Sequence, residues 1–439
     1  MAEHAPSQLE QIRALHAAGR SAEALHACRE LLNAEPERAD VLAIAGTLAL
    51  KLGQHAEAEA NLRAAVALDP TSLEALFNWG NSLTRLGQRA DAMQAFSRAL
   101  ELRPDFVPAL NNLGNALYEG KEFAAAAATF QRALQLAPET AHLHRNLGTA
   151  LHEQGSREAA LACFQRACTL RPGWVKALQS FATTAMELGE WRAAAAACLS
   201  WLEHSPANVE ALGLRSIALD ELGETAGADE LLNFDQLLQC IQLSAPPPGY
   251  ASLAEFNAAL SAQTLAHPSL HVPASDDPRY HCPTLRMSAE FCAGSSGASA
   301  ALAQLVAEAI DAYVAQLAQR LPTHPFVTGA ARRFSLKSWA TVLDGEGNLE
   351  PHVHYASYVS AVYYPKIPST MDSAHTGAGF LEFGGGPARF PCRVSREVRT
   401  VQPREGLLLL FPSYFYHRTA PFRAAEPRIA IAFDTTPMF

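Results

Sequence analysis

The stretch ALNNLGNALYEGKEFAAAAATFQRALQLAP, residues 109–138, is one copy of a unit that recurs every 34 residues through the first half of the chain. One series of prolines and two series of glycines keep this period. They are Pro36, Pro70, Pro104, Pro138, Pro172 and Pro206; Gly19, Gly53, Gly87, Gly155, Gly189 and Gly223; and Gly46, Gly80, Gly114 and Gly148. Lys121 interrupts the first glycine series, with Gly120 beside it. The period predicts helical hairpins that stack, because a single hairpin cannot bury its apolar face alone.

Each recurring residue has a physical role in such a hairpin. A small residue inside the first helix allows close helix packing, a turn glycine adopts positive φ, and the proline ends the second helix. The pattern resembles the tetratricopeptide repeat family. It predicts about seven repeats in residues 1–240, the last a capping repeat with Cys240 in place of the proline.

Asparagines also follow the repeat. Asn78, Asn112 and Asn146 lie 34 residues apart, and Asn81 and Asn115 stand three residues after the first two. Residues three apart share a helix face, so the amides could form a ladder that binds the backbone of an extended peptide. This resembles the asparagine ladder in the repeats of the glycosyltransferase that adds N-acetylglucosamine to proteins. Helix capping or solvated amides are the alternative interpretation.

Composition restricts the class of protein. The 439 residues are 49% hydrophobic and 18% charged, with a net charge of −10, which disfavours nucleic-acid and anionic-membrane partners. The eight cysteines form no C-x-x-C pair. The N-terminus lacks an uninterrupted apolar segment, and no run of about 18 apolar residues lacks a charge. We therefore expect a cytoplasmic protein without a membrane partner.

The second half of the chain has a different texture. LSAPPPGYASL, residues 243–253, marks the boundary, so we predict a Pro-rich linker at 241–251 and a second domain at 252–439. After a helix at 298–321, short β-rich runs begin at Phe334: FSLKSWATVL, YVSAVYYPKI, GFLEFG, REVRTVQP, GLLLLFPS and RIAIAFDTT. Such runs with Gly/Pro turns between them, DGEGN among these turns, predict an antiparallel sandwich or barrel.

Three histidines and an arginine stand at the ends of these runs. His352 and His354 form an H-x-H, His417 follows His352 by 65 residues, and Arg428 comes 11 residues later. With GFLEFG, LLLLFPSYFYH and PRIAIAFD, this order resembles the iron(II)- and 2-oxoglutarate-dependent oxygenases, in a bacterial branch often fused behind tetratricopeptide repeats. The resemblance covers about 334–437. It implies a double-stranded β-helix (jelly-roll or cupin-like) core within an α+β domain, behind an all-α superhelix.

The resemblance also implies roles for single residues. The predicted metal ligands are His352, His354 and His417, which together with Arg428 form the predicted catalytic set. Arg428, Tyr364 and Ser360 are the predicted cofactor-binding residues, because arginine pairs with the far carboxylate of 2-oxoglutarate. The implied cofactors are Fe(II) and 2-oxoglutarate, with ascorbate as an accessory reductant.

Several positions depart from the family pattern or stay open. His354 stands where most relatives carry Asp or Glu. Glu382 is an alternative third ligand, and a degenerate or metal-free site is the remaining alternative. Ala430 replaces the serine that usually follows the arginine by two residues. Asp434 is interpreted as structural, and Arg418 as either a surface residue or a partner for a substrate carboxylate.

The expected activity is that of a dioxygenase that hydroxylates a peptide or protein side chain held by the repeats, with dioxygen as cosubstrate. Two alternatives remain at this point. One is a small-molecule oxygenase whose repeats serve assembly, and the other is a catalytically inactive interaction protein that works through its repeats.

Overall fold

The computed structural model describes residues 7–273, 282, 284–294, 296–328, 333–372, 377–387, 389–393 and 398–438. Contacts between residues divide the chain into two compact units, Met1–Pro172 and Gly173–Phe439. Helical repeats come first and a β-rich domain with antiparallel sheets follows, which confirms the predicted two-part fold class.

The repeats form seven helical hairpins in the described part of the chain. Their helices are α1 Gln8–Ala17, α2 Ser21–Ala34, α3 Ala39–Lys51, α4 His55–Leu68, α5 Leu73–Arg85, α6 Arg89–Leu102, α7 Val107–Glu119, α8 Phe123–Leu136, α9 Ala141–Glu153, α10 Arg157–Leu170, α11 Val175–Leu188, α12 Trp191–His204, α13 Val209–Glu221 and α14 Thr225–Leu231. From α2 to α12, each second helix ends two residues before a proline of the 34-residue series. The prolines therefore end these helices as predicted.

Close packing within a hairpin requires a glycine on the first helix. A Cβ atom on Gly114 would lie 2.5 Å from Cε1 of Phe130, and one on Gly80 would lie at the same distance from Cε1 of Phe96. Real Cβ contacts are longer than this, so the glycines allow the aromatic rings of the second helix to approach the backbone of the first.

The turn position of the repeat adopts positive φ even where glycine is missing. Gly87 has φ of 74°, and Lys121, at the interruption of the series, has φ of 62°. Lys121 is exposed, so hairpin geometry rather than side-chain packing holds it in this conformation. Left-handed backbone costs about 1–2 kcal/mol for a residue with a Cβ atom.

The remaining helices and the strands belong to the second unit. The helices are α15 Phe234–Leu237, α16 Leu253–Leu265, α17 Ala298–Arg320 and α18 Pro325–Thr328. The strands are β1 Gln239–Gln242, β2 Leu285–Met287, β3 Phe334–Leu343, β4 Glu346–His352, β5 Val359–Lys366, β6 Leu381–Phe383, β7 Arg399–Val401, β8 Leu407–Pro412, β9 His417–Arg423 and β10 Arg428–Pro437.

Two antiparallel sheets carry these strands. The larger sheet has the order β1-β8-β5-β10-β3-β2 and the smaller one β4-β9-β6-β7. Phe383 of the smaller sheet and Phe411 of the larger one contact each other with ring centroids 4.9 Å apart, so the two inner faces share an apolar core. The strand order of β3 to β10 is that of a jelly roll of eight strands.

Four strands fall outside the β-rich runs that the sequence indicated. β4 starts inside the DGEGN segment, which we interpreted as a turn, and β9 has the sequence HRTAPFR. β1 and β2 are short edge strands, and β1 overlaps the predicted linker. Polar residues and a proline hide these strands from pattern analysis, because neighbouring strands rather than intrinsic propensity keep them extended.

The last hairpins pack directly on the β-rich domain within the second unit. A Cβ atom on Gly213 would lie 3.2 Å from the carbonyl oxygen of Tyr414, and the Tyr414 hydroxyl donates to the carbonyl oxygen of Leu231 at 2.6 Å. Phe234 contacts Phe415 edge to face at 5.0 Å. The compact division thus falls after residue 172, whereas the predicted limits at 240 and 252 follow the repeat pattern.

One helix among the described residues, α17, is long and apolar enough to cross a membrane by length and composition. Its residues Leu302, Val306, Ile310 and Leu317 form a buried stripe, and the Tyr313 hydroxyl donates to the carbonyl oxygen of Leu237 at 2.6 Å. A core helix has these same features, so the segment is weak evidence for a membrane span.

The strained turn makes a stability prediction. Lys121→Gly should raise the free energy of unfolding by about 0.5–1 kcal/mol, because it removes left-handed strain while glycine retains more entropy when unfolded. The reciprocal change, Gly87→Lys, should lower it by about 1 kcal/mol. Urea unfolding followed by far-ultraviolet circular dichroism measures both, and equal stability of Lys121→Gly and wild type would contradict the strain.

The packing of the last hairpins makes a second prediction. A fragment of residues 173–439 should unfold cooperatively on heating, whereas 241–439 should not, because the shorter fragment exposes Tyr414 and Phe415 to water. Differential scanning calorimetry compares them. A cooperative transition of 241–439 at the same temperature as that of 173–439 would show that the helices of the last hairpins do not stabilise the sheets.

Candidate metal centre

Three histidine side chains converge in the second unit. One ring nitrogen from each of His352, His354 and His417 lies within 4.8 Å of those of the other two. The ring centroids are 4.4 Å apart for His352 and His417, and 5.2 Å apart for each pair that includes His354. The structure thus brings the three predicted ligands together.

Strand pairing positions these rings. His352, the last residue of β4, lies opposite His417, the first residue of β9. His354 follows in the turn before β5, where its backbone N–H donates to the carbonyl oxygen of Ser413 at 3.2 Å. The three rings therefore come from two adjacent strand ends and one turn.

Hydrogen bonds define which nitrogen of each ring faces the centre. The Nδ1 atoms of His352 and His417 lie 2.7 Å and 2.9 Å from the carbonyl oxygens of Glu350 and Phe415. The Nδ1 atom of His354 lies 2.9 Å from both carboxylate oxygens of Asp434. An oxygen acceptor at every Nδ1 keeps the proton there, so each Nε2 carries a lone pair.

The environment keeps the centre apolar and favours the neutral form of His417. Burial lowers the pKa of His417 well below its ordinary value, and the neighbouring His352 and His354 lower it further. The rings of Phe411 and Trp339 stand 5.0 Å from His417 and 5.4 Å from His354. Neutral imidazole is the form that binds a metal ion.

Three imidazole nitrogens within 4.8 Å of one another suit Fe(II), for which imidazole is a common ligand. Three protein ligands leave other coordination positions for exogenous ligands, as in facial sites of non-haem iron. The outward bonds from every Nδ1 are the support that metal-binding histidines normally have. The residues therefore fit the metal that the sequence implied.

Arg428 lies fully buried beside Tyr364. It is 2% exposed, its guanidinium carbon lies 5.0 Å from the Tyr364 ring centroid, and Nη2 donates to the Tyr364 hydroxyl across a long 3.5 Å. Its Nε has no hydrogen-bond partner among the described residues, and no described carboxylate pairs with it. Burial lowers the pKa of this guanidinium, yet it stays protonated. A buried cation with an unused donor fits an anionic ligand.

Strand parity separates two adjacent tyrosines. Tyr363 points away from Arg428 and donates its hydroxyl to Oδ1 of Asn257 on α16 at 2.6 Å, whereas Tyr364 faces Arg428. This is the orientation that alternation along β5 predicts. Burial raises the pKa of Tyr364, so its hydroxyl stays protonated and remains a donor.

Ser360 requires a correction. Its hydroxyl donates to Oδ1 of Asp434 at 2.7 Å and lies 3.4 Å from His354 Nδ1, so it supports the histidine rather than the Arg428 site. Ser360 shares a face with Tyr364, but four residues separate them by about 13 Å along an extended strand. Alternation along β5 correctly predicted the face on which Ser360 lies. Its predicted position beside Arg428 was wrong, because Ser360 lies beside His354.

Glu382 and Arg418 lie outside the centre. They stand opposite each other in β6 and β9 and form an ion pair of 2.5 Å. Phe383 instead pairs with His417 on the inner side, so Glu382 points to the other face. Glu382 is therefore not the third ligand, and Arg418 has a protein carboxylate as its partner.

The sequence did not predict the role of Asp434 near the centre, and it left open what replaces the usual serine at Ala430. Asp434, interpreted as structural, holds the ring of His354. Its even spacing from the buried Arg428 on one strand was a signal that it faces inward. Ala430 lacks the serine hydroxyl of the family pattern, but the residue opposite it on β3 is Thr341. Thr341 is buried, and its hydroxyl donates to the Ala430 carbonyl oxygen at 3.3 Å.

The predicted asparagine ladder exists as hydrogen bonds between neighbouring hairpins of the first unit. The Nδ2 atom of Asn112 donates to Oδ1 of Asn81 at 2.7 Å, and Nδ2 of Asn146 donates to Oδ1 of Asn115 at 3.2 Å. Asn78 makes the equivalent bond to Thr47 at 2.9 Å. Each amide thus uses part of its hydrogen-bonding capacity within the protein.

The ladder lines a groove of about 760 Å³ in the first unit. Its wall contains four of the five predicted asparagines and several charged or aromatic side chains, with Asn78 outside it. They are Asn81, Asn112, Asn115, Asn146, Arg85, Arg145, Tyr118 and Glu119. Polar and apolar surface contribute about equally to the groove wall. Asn112 donates one N–H within the ladder and retains the other, whereas Asn146 donates to both Asn111 and Asn115.

Comparisons with known proteins agree with both parts of the chain. Residues 337–434 match the family model described as "Putative 2OG-Fe(II) oxygenase", and residues 9–72, 77–140 and 122–173 match the tetratricopeptide repeat model. No curated protein matches the chain.

Solved structures resemble part of the chain at low identity. The crystal structure of MamA protein has 22% identity and a TM-score of 0.36, covering 38% of this chain and 92% of that one. MamA 41-end from Desulfovibrio magneticus RS-1 has 23% identity and a TM-score of 0.37, covering 38% and 94%. PilF of Pseudomonas aeruginosa has 22% identity and a TM-score of 0.38, covering 45% and 90%. From the two family models together, the chain carries a tetratricopeptide repeat region followed by a domain that matches the 2OG-Fe(II) oxygenase family.

Proposed function

We propose that this chain is an iron(II)- and 2-oxoglutarate-dependent dioxygenase that hydroxylates a side chain of a peptide or protein bound by its repeats. The observation that carries the proposal is the cluster of His352, His354 and His417, each with Nδ1 bonded outward and Nε2 available. The match of residues 337–434 to the oxygenase family supports the same reaction class.

The three Nε2 atoms would hold Fe(II). When bound, the iron supplies the redox chemistry that couples oxidative decarboxylation of 2-oxoglutarate by dioxygen to hydroxylation of a C–H bond. The histidines contribute a fixed geometry, because their outward hydrogen bonds hold each ring in one orientation.

Arg428 would bind the far carboxylate of 2-oxoglutarate. A guanidinium presents parallel N–H groups that match the two oxygens of a carboxylate, and its Nε donor is unused among the described residues. The Tyr364 hydroxyl adds a neutral donor beside it. A bound carboxylate would also neutralise a buried charge that has no anionic partner in the part of the chain that the structure describes.

The aromatic and aliphatic surroundings would protect the reaction. Phe383 and Phe411 stand within 6.0 Å of His417, measured between ring centroids, and shield the inner side of the centre from water. A dry site strengthens the interaction between charges and limits side reactions of oxidising species.

The row of amides in the groove supports a polypeptide partner rather than a small metabolite. The N–H group that Asn112 does not use in the ladder can bond to a backbone carbonyl, and the amides recur at the spacing that successive hairpins set. Arg85 and Glu119 in the same wall add charged contacts for side chains.

We also propose a cytoplasmic location. None of the eight cysteines forms a disulfide among the described residues, and burial raises the pKa of Cys28, Cys168 and Cys392 to about 11, which disfavours their thiolates. Cysteines without disulfides and an oxidisable Fe(II) both suit a reducing compartment.

The activity can be tested without knowing the substrate. Purified full-length protein with Fe(II), ascorbate and 2-oxoglutarate should release succinate through slow uncoupled turnover, and His417→Ala should abolish it. Arg428→Ala should raise the apparent KM for 2-oxoglutarate by about 10- to 100-fold, because a charged hydrogen-bonding partner is worth about 1.5–3 kcal/mol.

Adjacent residues provide matched controls for this assay. Arg418→Ala alters the neighbour of His417 on the other face and should retain succinate release. Tyr364→Phe should raise the KM by about 2- to 10-fold, whereas Tyr363→Phe should not. Wild-type protein that neither binds iron nor makes succinate would refute the oxygenase and leave an interaction protein.

The partner can be tested with peptides selected from a random displayed library on the full-length protein. A selected peptide should increase succinate release and become heavier by one oxygen atom in mass spectrometry. Asn112→Ala/Asn146→Ala should weaken its binding by about 5- to 50-fold, since each amide is worth about 0.5–1.5 kcal/mol.

Asn78→Ala is the control for this variant, because it removes an equivalent bond between hairpins outside the groove wall. Equal loss of binding in both variants would indicate that the ladder only stabilises the repeats. Bound peptides that leave succinate release unchanged and remain unoxidised would favour a small-molecule substrate.

A further inference from the structure

The Nδ1 atom of His354 contacts a carboxylate. His352 and His417 donate from Nδ1 to neutral backbone carbonyls, whereas Nδ1 of His354 lies 2.9 Å from both oxygens of the Asp434 carboxylate. His354 is thus bonded to a charged group on the side of its ring that faces away from the centre.

We propose that Asp434 is a positioning residue that supplies the metal centre with negative charge through the His354 ring. The proposal rests on the proposed function, because it requires a metal ion bound by the three histidines. A carboxylate that accepts the Nδ1 proton makes the opposite nitrogen a stronger donor and holds the ring in one orientation. Three neutral ligands alone would leave the full divalent charge on the metal.

The contacts of Asp434 are directed to this role. The Ser360 hydroxyl donates to Oδ1 of Asp434 at 2.7 Å and contacts the Ser413 hydroxyl at 3.0 Å, so the carboxylate has a second donor beside the His354 ring. Ser360 and Ser413 are both buried. The side chains of His354 and Asp434 are 13% and 17% exposed, which limits screening of their interaction by water.

A purely structural ion pair does not account for Asp434. Lys337 stands opposite it in the pairing of β10 with β3, yet the two form no ion pair among the described residues, and the carboxylate contacts Nδ1 of His354 instead. The carboxylate is therefore directed to the His354 ring, although a cation is available directly across the strand pair.

The experiment compares metal binding and reduction potential in full-length variants. Asp434→Asn retains the size of the side chain and an oxygen that can accept from Nδ1, but it removes the charge. It should weaken anaerobic binding of Co(II) and Fe(II) by about 10- to 100-fold. It should also raise the Fe(III)/Fe(II) potential, because less negative charge near the metal disfavours the oxidised ion.

Ser360→Ala is the matched control, since it removes a hydrogen bond to the same carboxylate and keeps the charge. Its metal affinity should change by less than about 5-fold, with no rise in the potential. Asp434→Glu, which keeps a carboxylate, should recover much of the affinity. If Asp434→Asn does not fold, Asp434→Ser is measured in its place with the same expectation.

The outcomes separate this inference from the proposed function. Wild-type affinity and potential in Asp434→Asn would overturn the role of Asp434 and leave the metal centre intact. A loss of affinity matched by the same loss in Ser360→Ala, without a rise in potential, would also overturn it. Co(II) binding that persists in His417→Ala would instead refute the metal centre. Metal binding by wild-type protein without 2-oxoglutarate binding would refute the oxygenase, and the role of Asp434 at the metal would still stand.

Discussion

The register between β4 and β9 is the constraint on which the centre depends. It sets His352 opposite His417, and β6 on the other side of β9 sets Phe383 opposite the same histidine. Because side chains alternate along a strand, a slip by one residue would turn His417 outward and bring Arg418 inward. The apolar inner face opposes such a slip, because the slip would bury Arg418 and expose the imidazole ring of His417.

The repeat could be derived from the sequence because its constraints are local. The prolines and the turn position each act within a few residues. Lys121 adopts positive φ like the glycines because the two helices of its hairpin require it. The compact division after residue 172 could not be derived in this way. It depends on contacts of the last hairpins with Tyr414 and Phe415, which lie about 200 residues later in the chain.

The site was predictable where alternation along one strand decides it and unpredictable where position between strands decides it. Parity assigned Tyr364 rather than Tyr363 to the inner face, and the structure agrees. The same parity grouped Ser360 with Arg428, although the register of β5 against β10 places Ser360 opposite Asp434. Register depends on the whole sheet, so a local pattern indicated the face of Asp434 and not its contact with His354.

The turn between β8 and β9 links the helices of the second unit to the metal centre. The carbonyl oxygen of Phe415 accepts from His417 Nδ1, while Tyr414 beside it packs on Gly213 of α13 and donates to Leu231 of α14. A side chain on Gly213 would press on the backbone of this turn, because its Cβ would approach the Tyr414 carbonyl oxygen to 3.2 Å. The helices therefore define the backbone from which the ring of His417 is oriented. Displacement of α13 would move that carbonyl acceptor and reorient Nε2, so the last repeats are part of the structure that orients the histidine cluster.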